Sequence, residues 1–359
     1  MKKKENAAGS ADPEQAVDMA PRRARLEDIA KRCGVSVSTV SRALSGEKGV
    51  NPELRRSVQE VARAVRYAVP IEIGGTRVIL ATSRAAMVDY SRNQFTWYVL
   101  EGLKQRAAMM GIEILIQPIP DSGIAVIADL LEDASVAGVI FQTVDDPLIL
   151  DAAAKFTKPV VLVNSDDPLM RLSSVLPCNR SAARLAADYL VSLGHRRIAF
   201  LMCPGRRTIE QRLDGWRDSM RHHGLPFEDA LTISVDDWLP ELAEQAVTDK
   251  MRGKPQEFTA ILCAGDSLAV GAIRALNQLG LKVPEDVSVI GMNDLPFAEY
   301  VDPPLTTVHL PVSEMGATAL ELLQELISGG AGIPRRIELA CSLAVRQSTA
   351  AATVIDPTS

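Results

Sequence analysis

The sequence lacks the features that mark membrane-embedded, exported and metal-binding proteins. No apolar run in its 359 residues approaches the length of a membrane-spanning helix. Its basic beginning, MKKKENAAGS, is followed by no apolar core, so we predict a disordered tail over residues 1–21 rather than a secretion signal. The five cysteines are scattered and form no C-x-x-C pair, which argues against a disulfide framework or a zinc site and favours reduced thiols in a cytoplasm.

Sequence motifs of common enzyme classes are also missing. The chain contains no G-x-G-x-x-G, no G-x-x-x-x-G-K-[ST] and no G-x-S-x-G, which counts against dinucleotide-binding, P-loop and hydrolase sites. Paired aspartates do occur, at residues 145–146, 166–167 and 236–237, and His222–His223 precedes Gly224. Because no nucleophile or ligand cluster accompanies them, we predict no catalytic residue, no metal site and no cofactor.

Charge is unevenly distributed along the chain. Residues 22–67 contain eleven lysine and arginine residues and five acidic ones, which gives this segment a net charge of +6. Because the whole chain has a net charge of −6, the remaining residues together carry −12. A basic head on an acidic body is the pattern of a nucleic-acid-binding module joined to a domain that avoids phosphates. On charge alone, a basic face exposed to solvent is an equally good interpretation.

The basic segment also has the pattern of a helix-turn-helix. RLEDIAKRC and VSTVSRAL are amphipathic, and in the second of these helices Val40 and Leu44 face inward. Between them, Gly34 suits a tight turn and Ser36 suits an N-cap. We predict a third helix from Glu53 to about Tyr67. The segment SGEKGVNPELRR contains the loop before it, with Asn51 as the N-cap and Pro52 at the first helical position. The second helix of such an arrangement can enter the DNA major groove.

LEDIAKRCGVSVSTVSRALSG resembles the N-terminal signature of the LacI/GalR family of bacterial transcription regulators, and GVSxxTVSRxL is matched at every fixed position. The resemblance implies that the second helix reads base edges through Val37, Ser38 and Arg42, since arginine can bind guanine bidentately and valine can lie against a thymine methyl. The Ser38 hydroxyl could bond either a base or a phosphate. Ser36, Thr39 and Ser41 suit phosphate contacts, although simple surface polarity would also explain Thr39 and Ser41. Arg25 completes the predicted DNA-binding set.

The rest of the chain alternates strand-like and helix-like segments, which predicts an α/β fold with parallel sheets. TRVILATS, IEILIQPI, VAGVIFQ, PVVLVN, RRIAFLMC, FTAILCAGD and VSVIGMND have the pattern of strands. The phrases RLAADYLVSLGHRRIAFL, RLDGWRDSM, DSLAVGAIRALNQLGLKVPEDVSVIGMND and DPPLTTV are similar to phrases of the same family.

This resemblance implies a small all-α head, residues 22–67, and a two-lobed body like that of periplasmic sugar-binding proteins, residues 76–349. We expect lobe 1 over about 76–192 and 309–333, lobe 2 over about 193–308 and 334–349, and a tail over 350–359. The chain would then cross between the lobes near Leu193, Val308 and Gly329. A ligand would bind between the lobes, at the carboxyl ends of the strands.

Family positions also indicate which residues would contact an effector. They place Phe95 and Thr96 on the first lobe, and Arg206, Thr208, Arg212, Trp238, Asn293 and Cys178 at further cleft positions. Arg212 could equally form a structural ion pair, and Trp238 could pack between lobes. Asp266 and Asp294 are expected to tie loops, and His195 is expected to be structural.

Three of these positions depart from the family pattern. AGD stands where AND is frequent, and Cys178 and Asn293 each replace a carboxylate. Two arginines are retained while sugar-type acceptors are lost. The departures therefore favour an anionic effector, such as a sugar acid or a phosphorylated metabolite, over a neutral sugar.

The joint at residues 68–75, AVPIEIGG, departs furthest from the family. It is shorter than the usual segment and has no leucine to wedge into the minor groove, while Pro70 and Gly74–Gly75 disfavour a helix. Val69, Ile71 or Ile73 could serve as a substitute wedge or pack against the body or the partner subunit. We predict that no DNA-bending hinge helix forms there.

Together these features predict a homodimeric, sequence-specific DNA-binding regulator, most often a repressor in this family, whose operator affinity is controlled by a small-molecule effector. The alternative is a solute-binding protein or an enzyme on the same two-lobed body. A transported binding protein would need an export signal and would not need the basic head, and an enzyme would need a catalytic constellation.

Overall fold

The computed structural model describes residues 26–44, 50–64, 76–92, 94–120, 123–253, 256–329 and 332–352. The chain divides into two compact units, Met1–Glu72 and Ile73–Ser359. Three predictions concern residues outside the described ones: the disordered tail at 1–21, the DNA contact of Arg25, and the joint at 68–75.

The first unit contains three helices, α1 (Leu26–Cys33), α2 (Val37–Leu44) and α3 (Pro52–Ala64). Their apolar faces meet in one core made of Ile29, Ala30, Val40, Ala43, Leu44, Val58 and Ala62. The inward positions of Val40 and Leu44 are therefore confirmed.

The turns of this unit follow the predicted chemistry. Gly34 adopts a left-handed φ of 65° between α1 and α2. The Asn51 side chain accepts a hydrogen bond from the backbone N–H of Glu53 at 2.9 Å, which caps α3. The described part of α3 ends at Ala64.

The second unit alternates strands and helices. Its helices are α4 (Arg84–Ser91), α5 (Phe95–Met110), α6 (Ala125–Leu131), α7 (Pro147–Ala153), α8 (Asn179–Ser192), α9 (Arg207–His222), α10 (Pro240–Met251), α11 (Asp266–Gln278) and α12 (Val312–Gly329). Its strands are β1 (Arg77–Thr82), β2 (Glu113–Pro118), β3 (Val136–Gln142), β4 (Val160–Val163), β5 (Ser173–Pro177), β6 (Ile198–Met202), β7 (Thr232–Ser234), β8 (Ala260–Cys263), β9 (Ser288–Asn293), β10 (Thr306–His309), β11 (Arg336–Leu339) and β12 (Ser342–Ala344).

These strands form two six-stranded sheets, one in each lobe. The first has the order β11-β5-β4-β3-β1-β2 and is parallel throughout. The second has the order β12-β10-β9-β8-β6-β7 and is parallel except for β12, which pairs antiparallel with β10. Strands β1, β3, β4, β8 and β9 are buried along nearly their whole length, as sheets covered on both faces require.

The places where the chain passes between the lobes correct two predictions. Helix α8 packs against α9 and against the second sheet, so the first crossing lies at Cys178, directly after β5, and not near Leu193. Strand β11 pairs with β5 of the first sheet while β12 pairs in the second. The third crossing therefore lies at residues 340–341 and not near Gly329.

The remaining crossing lies between β10 of the second sheet and α12, which packs against α5 and the first sheet. An amphipathic pattern tells which face of a helix is buried but not which sheet buries it, and β11 is too short to show a period. For these reasons the sequence pattern gives wrong positions for the first and the third crossing.

Three pairs of helices cross at a glycine, with their backbones in close contact. A Cβ added at Gly102 of α5 would lie 1.8 Å from the Ser313 carbonyl oxygen of α12, and one added at Gly316 of α12 would lie 2.0 Å from the Val99 carbonyl oxygen of α5. Gly215 brings α9 against α8 in the same way, and Gly271 brings α11 against α10. Among the described helices, none combines the length and the apolar character needed to cross a membrane.

Candidate functional site

Helix α2 presents a polar, exposed N-terminal turn. Ser36 Oγ accepts a hydrogen bond from the backbone N–H of Thr39 at 3.1 Å, which confirms Ser36 as the N-cap. The same hydroxyl lies 2.9 Å from Ser38 Oγ and 2.8 Å from Thr39 Oγ1. These three hydroxyls form one cluster at the positive end of the helix, where a phosphate oxygen can be bound.

The side chains predicted to read bases are on the outer face of this helix. Val37, Ser38 and Arg42 are exposed, and Ser41 is exposed beside them, whereas Val40 and Ala43 between them are buried. The exposed face of α2 therefore carries small and basic side chains, whereas the apolar residues that hold the head together are on its buried face. The surface has the composition that insertion into a major groove requires.

The second candidate site is the cleft between the two lobes, at the carboxyl ends of the strands. Its lining encloses about 660 Å³, part of it open to solvent. It brings together Ala85, Ala86, Asp89, Gln94, Phe95, Thr96, Thr143, Asn164, Arg206, Thr208, Ile209, Arg212, Trp238, Ser267, Asn293 and Leu295. Seven of the eight predicted effector residues are in this lining.

Cys178 is the predicted residue that the cleft lining does not include. It lies at the first lobe crossing, as the residue before α8, and its backbone N–H donates to Leu339 O at 3.0 Å. The prediction that it contacts an effector is therefore at odds with its position in the hinge.

Arg212 is the most buried cation of the site. Its Nε donates to Asn179 Oδ1 at 2.9 Å and its Nη1 donates to Ala264 O at 2.5 Å. No carboxylate among the described residues forms an ion pair with it, so the structural ion pair considered from the sequence is absent from this part of the chain. Burial lowers the pKa of the Arg212 guanidinium to about 10, which leaves it charged at neutral pH.

Asp89 of α4 is the functional candidate that the sequence did not reveal. Its side chain accepts a hydrogen bond from the backbone N–H of Thr96, at the start of α5. Burial raises the pKa of this carboxyl above its ordinary value, although that hydrogen bond, together with Arg206 and Arg92, opposes the rise. An acidic side chain shortly before the predicted cleft residues Phe95 and Thr96 is the only signal in the sequence, and nothing there shows that it faces the cleft.

Trp238 occupies the space left by a family departure. A Cβ at Gly265 would lie 3.0 Å from Cζ3 and 3.2 Å from Cε3 of the indole, so a larger residue at position 265 would push the ring. Gly265 therefore lacks the side-chain amide that is frequent at this position and leaves room for the Trp238 ring. The ring is half-buried at the cleft wall, where it can stack on an apolar ligand face.

Two buried side-chain oxygens of the cleft lining have no hydrogen-bond partner among the described residues. They are Thr208 Oγ1 and Asn293 Oδ1. Asn293 also has a positive φ of 127°, unusual for a residue other than glycine. Unpartnered buried acceptors that face a cavity are the groups that a bound ligand can satisfy.

Three ion pairs join the lobes around this cleft. Arg206 Nε lies 2.8 Å from Asp145, Arg92 lies 3.2 Å from Asp237, and Arg207 lies 3.0 Å from Asp166. Each pair takes its arginine from one lobe and its aspartate from the other. The aspartate pairs noted in the sequence thus contribute partners for cross-lobe arginines.

The residues expected to be structural have structural contacts. Asp266 accepts from the Leu295 N–H at 2.9 Å and from Thr307 Oγ1 at 2.6 Å, so it ties the loop after β9 to strand β10. The ring of His195 lies 2.8 Å from Thr259 Oγ1, 3.1 Å from Ser288 Oγ and 3.1 Å from Ala350 O. No group of three or more histidine, cysteine or acidic side chains that could hold a metal occurs within the described ranges.

Comparisons with known proteins agree with this arrangement. Residues 25–69 match the profile described as bacterial regulatory proteins, lacI family, and residues 187–349 match a periplasmic binding protein-like domain. The HTH-type transcriptional regulator MalR of Streptomyces coelicolor is 32% identical over 91% of this chain and 97% of its own length.

Two solved structures are similar over the whole described architecture. A complex of the transcriptional regulator CelR with cellobiose has a TM-score of 0.67 at 27% identity, covering 91% of this chain and all of that one. The lac repressor dimer bound to operator and the anti-inducer ONPF has a TM-score of 0.69 at 26% identity, covering 92% of this chain and all of that one.

Proposed function

The chain belongs to the lacI family of bacterial regulatory proteins, and from this premise we propose how its two sites divide the work of a DNA-binding transcriptional regulator. The head binds operator DNA through α2, and the cleft binds a small-molecule effector that changes the affinity of the head for that DNA. The protein acts as a homodimer, so that two heads meet two half-sites.

At the DNA, Arg42 is proposed to bind a guanine bidentately, with Val37 and Ser38 contacting neighbouring base edges. Ser36, Thr39 and Ser41 are proposed to bind phosphates, and Arg25 to add charge at the backbone. The contact between the Ser36 and Thr39 hydroxyls at the helix N-terminus supports the phosphate role of these two residues, because phosphate binding is favoured there.

In the cleft, the observation that carries the proposal is a buried guanidinium without an ion-pair partner among the described residues, that of Arg212, in the same lining as the unpartnered oxygens of Thr208 and Asn293. A ligand that offers hydrogen-bond acceptors to Arg212 and donors to those oxygens would satisfy all three. Trp238 and Phe95 add aromatic surface for its apolar face.

The charge balance of the lining supports a polyhydroxylated, sugar-like effector. Arg206 is paired with Asp145, and the lining also contains the carboxyl of Asp89, so the positive charge of the two arginines is offset by two acidic side chains. Vicinal hydroxyls can accept from Arg212 and donate to Asp89 at the same time. A sugar acid or a phosphorylated metabolite is the alternative that the experiment below separates.

The coupling is proposed to run through the separation of the lobes. Arg206, Arg207 and Arg92 join opposite walls of the cleft, so a ligand that adds contacts to both walls favours the closed arrangement. A change of closure in each subunit alters the spacing of the two heads. The expected coupling free energy is about 1–3 kcal/mol.

The test begins with selection of DNA bound by the purified full-length protein. We expect a near-palindromic consensus whose half-sites are spaced by about one helical turn. Arg42→Ala should weaken binding by about 1–3 kcal/mol and relax the preference at one base pair, whereas Ser41→Ala should weaken binding to all sequences alike. Binding that is salt-sensitive but independent of sequence would contradict the regulator proposal.

Neutral sugars, sugar acids and sugar phosphates are then screened for release or tightening of the selected DNA. A response to neutral sugars alone supports the charge argument. A response confined to anionic compounds would overturn it while leaving the regulator proposal intact.

A further inference from the structure

Two of the five cysteines lie on the hinge between the lobes. Cys178 follows β5 at the first crossing, and Cys341 lies between β11 and β12 at the third. Both side chains are partly exposed, whereas Cys203 and Cys263 are buried. The two crossings are therefore marked by the same reactive side chain, on segments that must twist when the lobes move.

The backbone places these two cysteines side by side. Strands β5 and β11 are parallel neighbours, with Pro177 opposite Leu339, and the Cys178 N–H continues the ladder to Leu339 O at 3.0 Å. One more step of this register sets residue 340 opposite Cys178, so Cys341 is displaced by one residue from the position directly across the two strands. The Cys341 thiol donates to the same Leu339 carbonyl oxygen at 3.6 Å, so both cysteines contact one backbone oxygen.

The surroundings make the two sulfurs chemically unequal. The neighbouring Cys341 thiol, against an opposing effect of burial, lowers the pKa of the Cys178 thiol below its ordinary value. The same contact, with burial, raises the pKa of Cys341 above its ordinary range. Cys178 is then the more acidic of the two thiols and Cys341 the one that keeps its proton, which is the arrangement of an attacking and a resolving cysteine.

We propose that Cys178 and Cys341 form a redox-modification site at which hydrogen peroxide closes a disulfide across the hinge. The Cys178 thiolate attacks one peroxide oxygen, forming an S–O bond and releasing hydroxide. Cys341 then attacks the Cys178 sulfur, forming the S–S bond and breaking the S–O bond. The two thiols lose two electrons and two protons, and the peroxide becomes two molecules of water.

Such a bond would restrain the hinge directly. It would join the chain entering α8 to the chain entering β12, so two of the three crossings could no longer twist independently. The next residue, Asn179, accepts a hydrogen bond from Arg212 of the cleft lining, so the restraint is linked to the cleft through that hydrogen bond. Its influence on effector binding rests on the proposed function, but the disulfide itself does not.

The site is tested on the full-length protein treated with hydrogen peroxide and digested without reductant. We expect a peptide pair that joins residues 178 and 341, with the mass of two lost hydrogens, and its reversal by dithiothreitol. Cys33→Ser, a cysteine of α1, should give the same pair and serves as the matched control. Cys341→Ser, or Cys341→Ala if the serine variant fails to fold, should instead leave a sulfenic acid on Cys178 that dimedone traps.

The restraint is tested by hydrogen–deuterium exchange of the cleft peptides around residues 89–96 and 204–212. We expect exchange to slow several-fold on oxidation of the wild type and to be unchanged in Cys341→Ser. Absence of the 178–341 pair after peroxide treatment overturns the modification site. Formation of the pair with unchanged exchange overturns the restraint on the lobes, and neither result bears on whether the head binds an operator.

Discussion

Arg212 holds a positive charge inside the cleft between two neutral oxygens, Asn179 Oδ1 and Ala264 O. Burying a charge without an ionic partner is costly, and this cost is compensated if a ligand completes its hydrogen bonds. The side chain therefore has two roles that can be separated: it satisfies two buried acceptors, and it presents its remaining donors to the cleft.

Arg212→Gln should weaken effector binding at least tenfold and lower the free energy of unfolding by about 1–3 kcal/mol, since acceptors lose a charged donor. Isothermal titration with the effector found by screening measures the first effect, and urea unfolding measures the second. Arg221→Gln, an exposed position on the same helix, should change neither. An unaltered effector affinity in Arg212→Gln would remove this residue from the site.

His195 links stability to pH. Its pKa is lowered from the ordinary value of 6.5, because burial penalises the charged ring more than the Ala350 carbonyl oxygen favours it. Below pH 6.5 the unfolded chain binds a proton that the folded chain binds less well. The contribution of His195 to the free energy of unfolding is therefore fully present above pH 6.5 and is lost as the pH falls below it. The loss cannot exceed about 1.4 kcal/mol per pH unit.

Asp266 acts in the opposite sense, because burial raises its pKa to about 6 from 3.8. The folded protein therefore gains stability from Asp266 as the pH falls from about 6 towards 3.8.

Comparison of the wild type with His195→Gln separates the effect of the histidine from that of Asp266. The difference in unfolding free energy between wild type and His195→Gln should shrink as the pH is lowered from about 7.5 to about 5.5. A constant difference across urea titrations in that range would show that His195 does not titrate as described.

At the scale of elements, the crossings at glycine set how closely the helices pack. Gly316→Ala would place a methyl group 2.0 Å from the Val99 carbonyl oxygen, a contact that requires α5 and α12 to separate. We expect a loss of about 2–3 kcal/mol in unfolding free energy, despite the intrinsic helix preference for alanine. Gly329→Ala, at the open end of the same helix, should be neutral or slightly stabilising.

Urea midpoints with unchanged slopes provide the measurement. Gly102→Ala, which meets the same contact from α5, should behave as Gly316→Ala does. If both variants were as stable as the wild type, the helices would not be in backbone contact.

The elements themselves differ in how far the sequence determines them. Helix α2 was predicted with its observed boundaries, Val37–Leu44, because its apolar period and its Ser36 cap are both local. Strand β11 and the lobe to which α8 belongs depend on partners far along the chain, and no local pattern encodes them. The same holds for the glycines at the helix crossings, since a glycine inside a helix does not reveal what lies against it.

The candidate cleft was predictable to a similar degree. Family positions supplied seven of its lining residues, because they follow strands whose carboxyl ends share one edge. Asp89 was missed because it lies on α4, a helix that the sequence analysis did not identify. The packing of the Trp238 ring against Gly265 becomes visible only when the fold brings the two loops together.

At the scale of the whole molecule, the cross-lobe ion pairs favour the closed arrangement. Asp145→Asn removes the partner of Arg206 and should cost about 1 kcal/mol, which changes the ratio of closed to open protein about fivefold. Small-angle scattering should then give a larger radius of gyration without effector. Asp146→Asn is the matched control, because asparagine can keep the cap that Asp146 gives to Leu148.

The size difference should also disappear when effector is added at saturation, since the ligand supplies the missing contacts between the lobes. A radius of gyration that is the same in both variants with and without effector would contradict the role of these pairs in closure.

The central claim is that ligand in the cleft and DNA at the head are coupled, and thermodynamic linkage tests it most directly. The effector affinity is measured by titration with and without saturating operator DNA, and the operator affinity with and without saturating effector. The account predicts that both ratios are equal, at roughly 5–150-fold. An effector affinity that is the same in free and DNA-bound protein would contradict it.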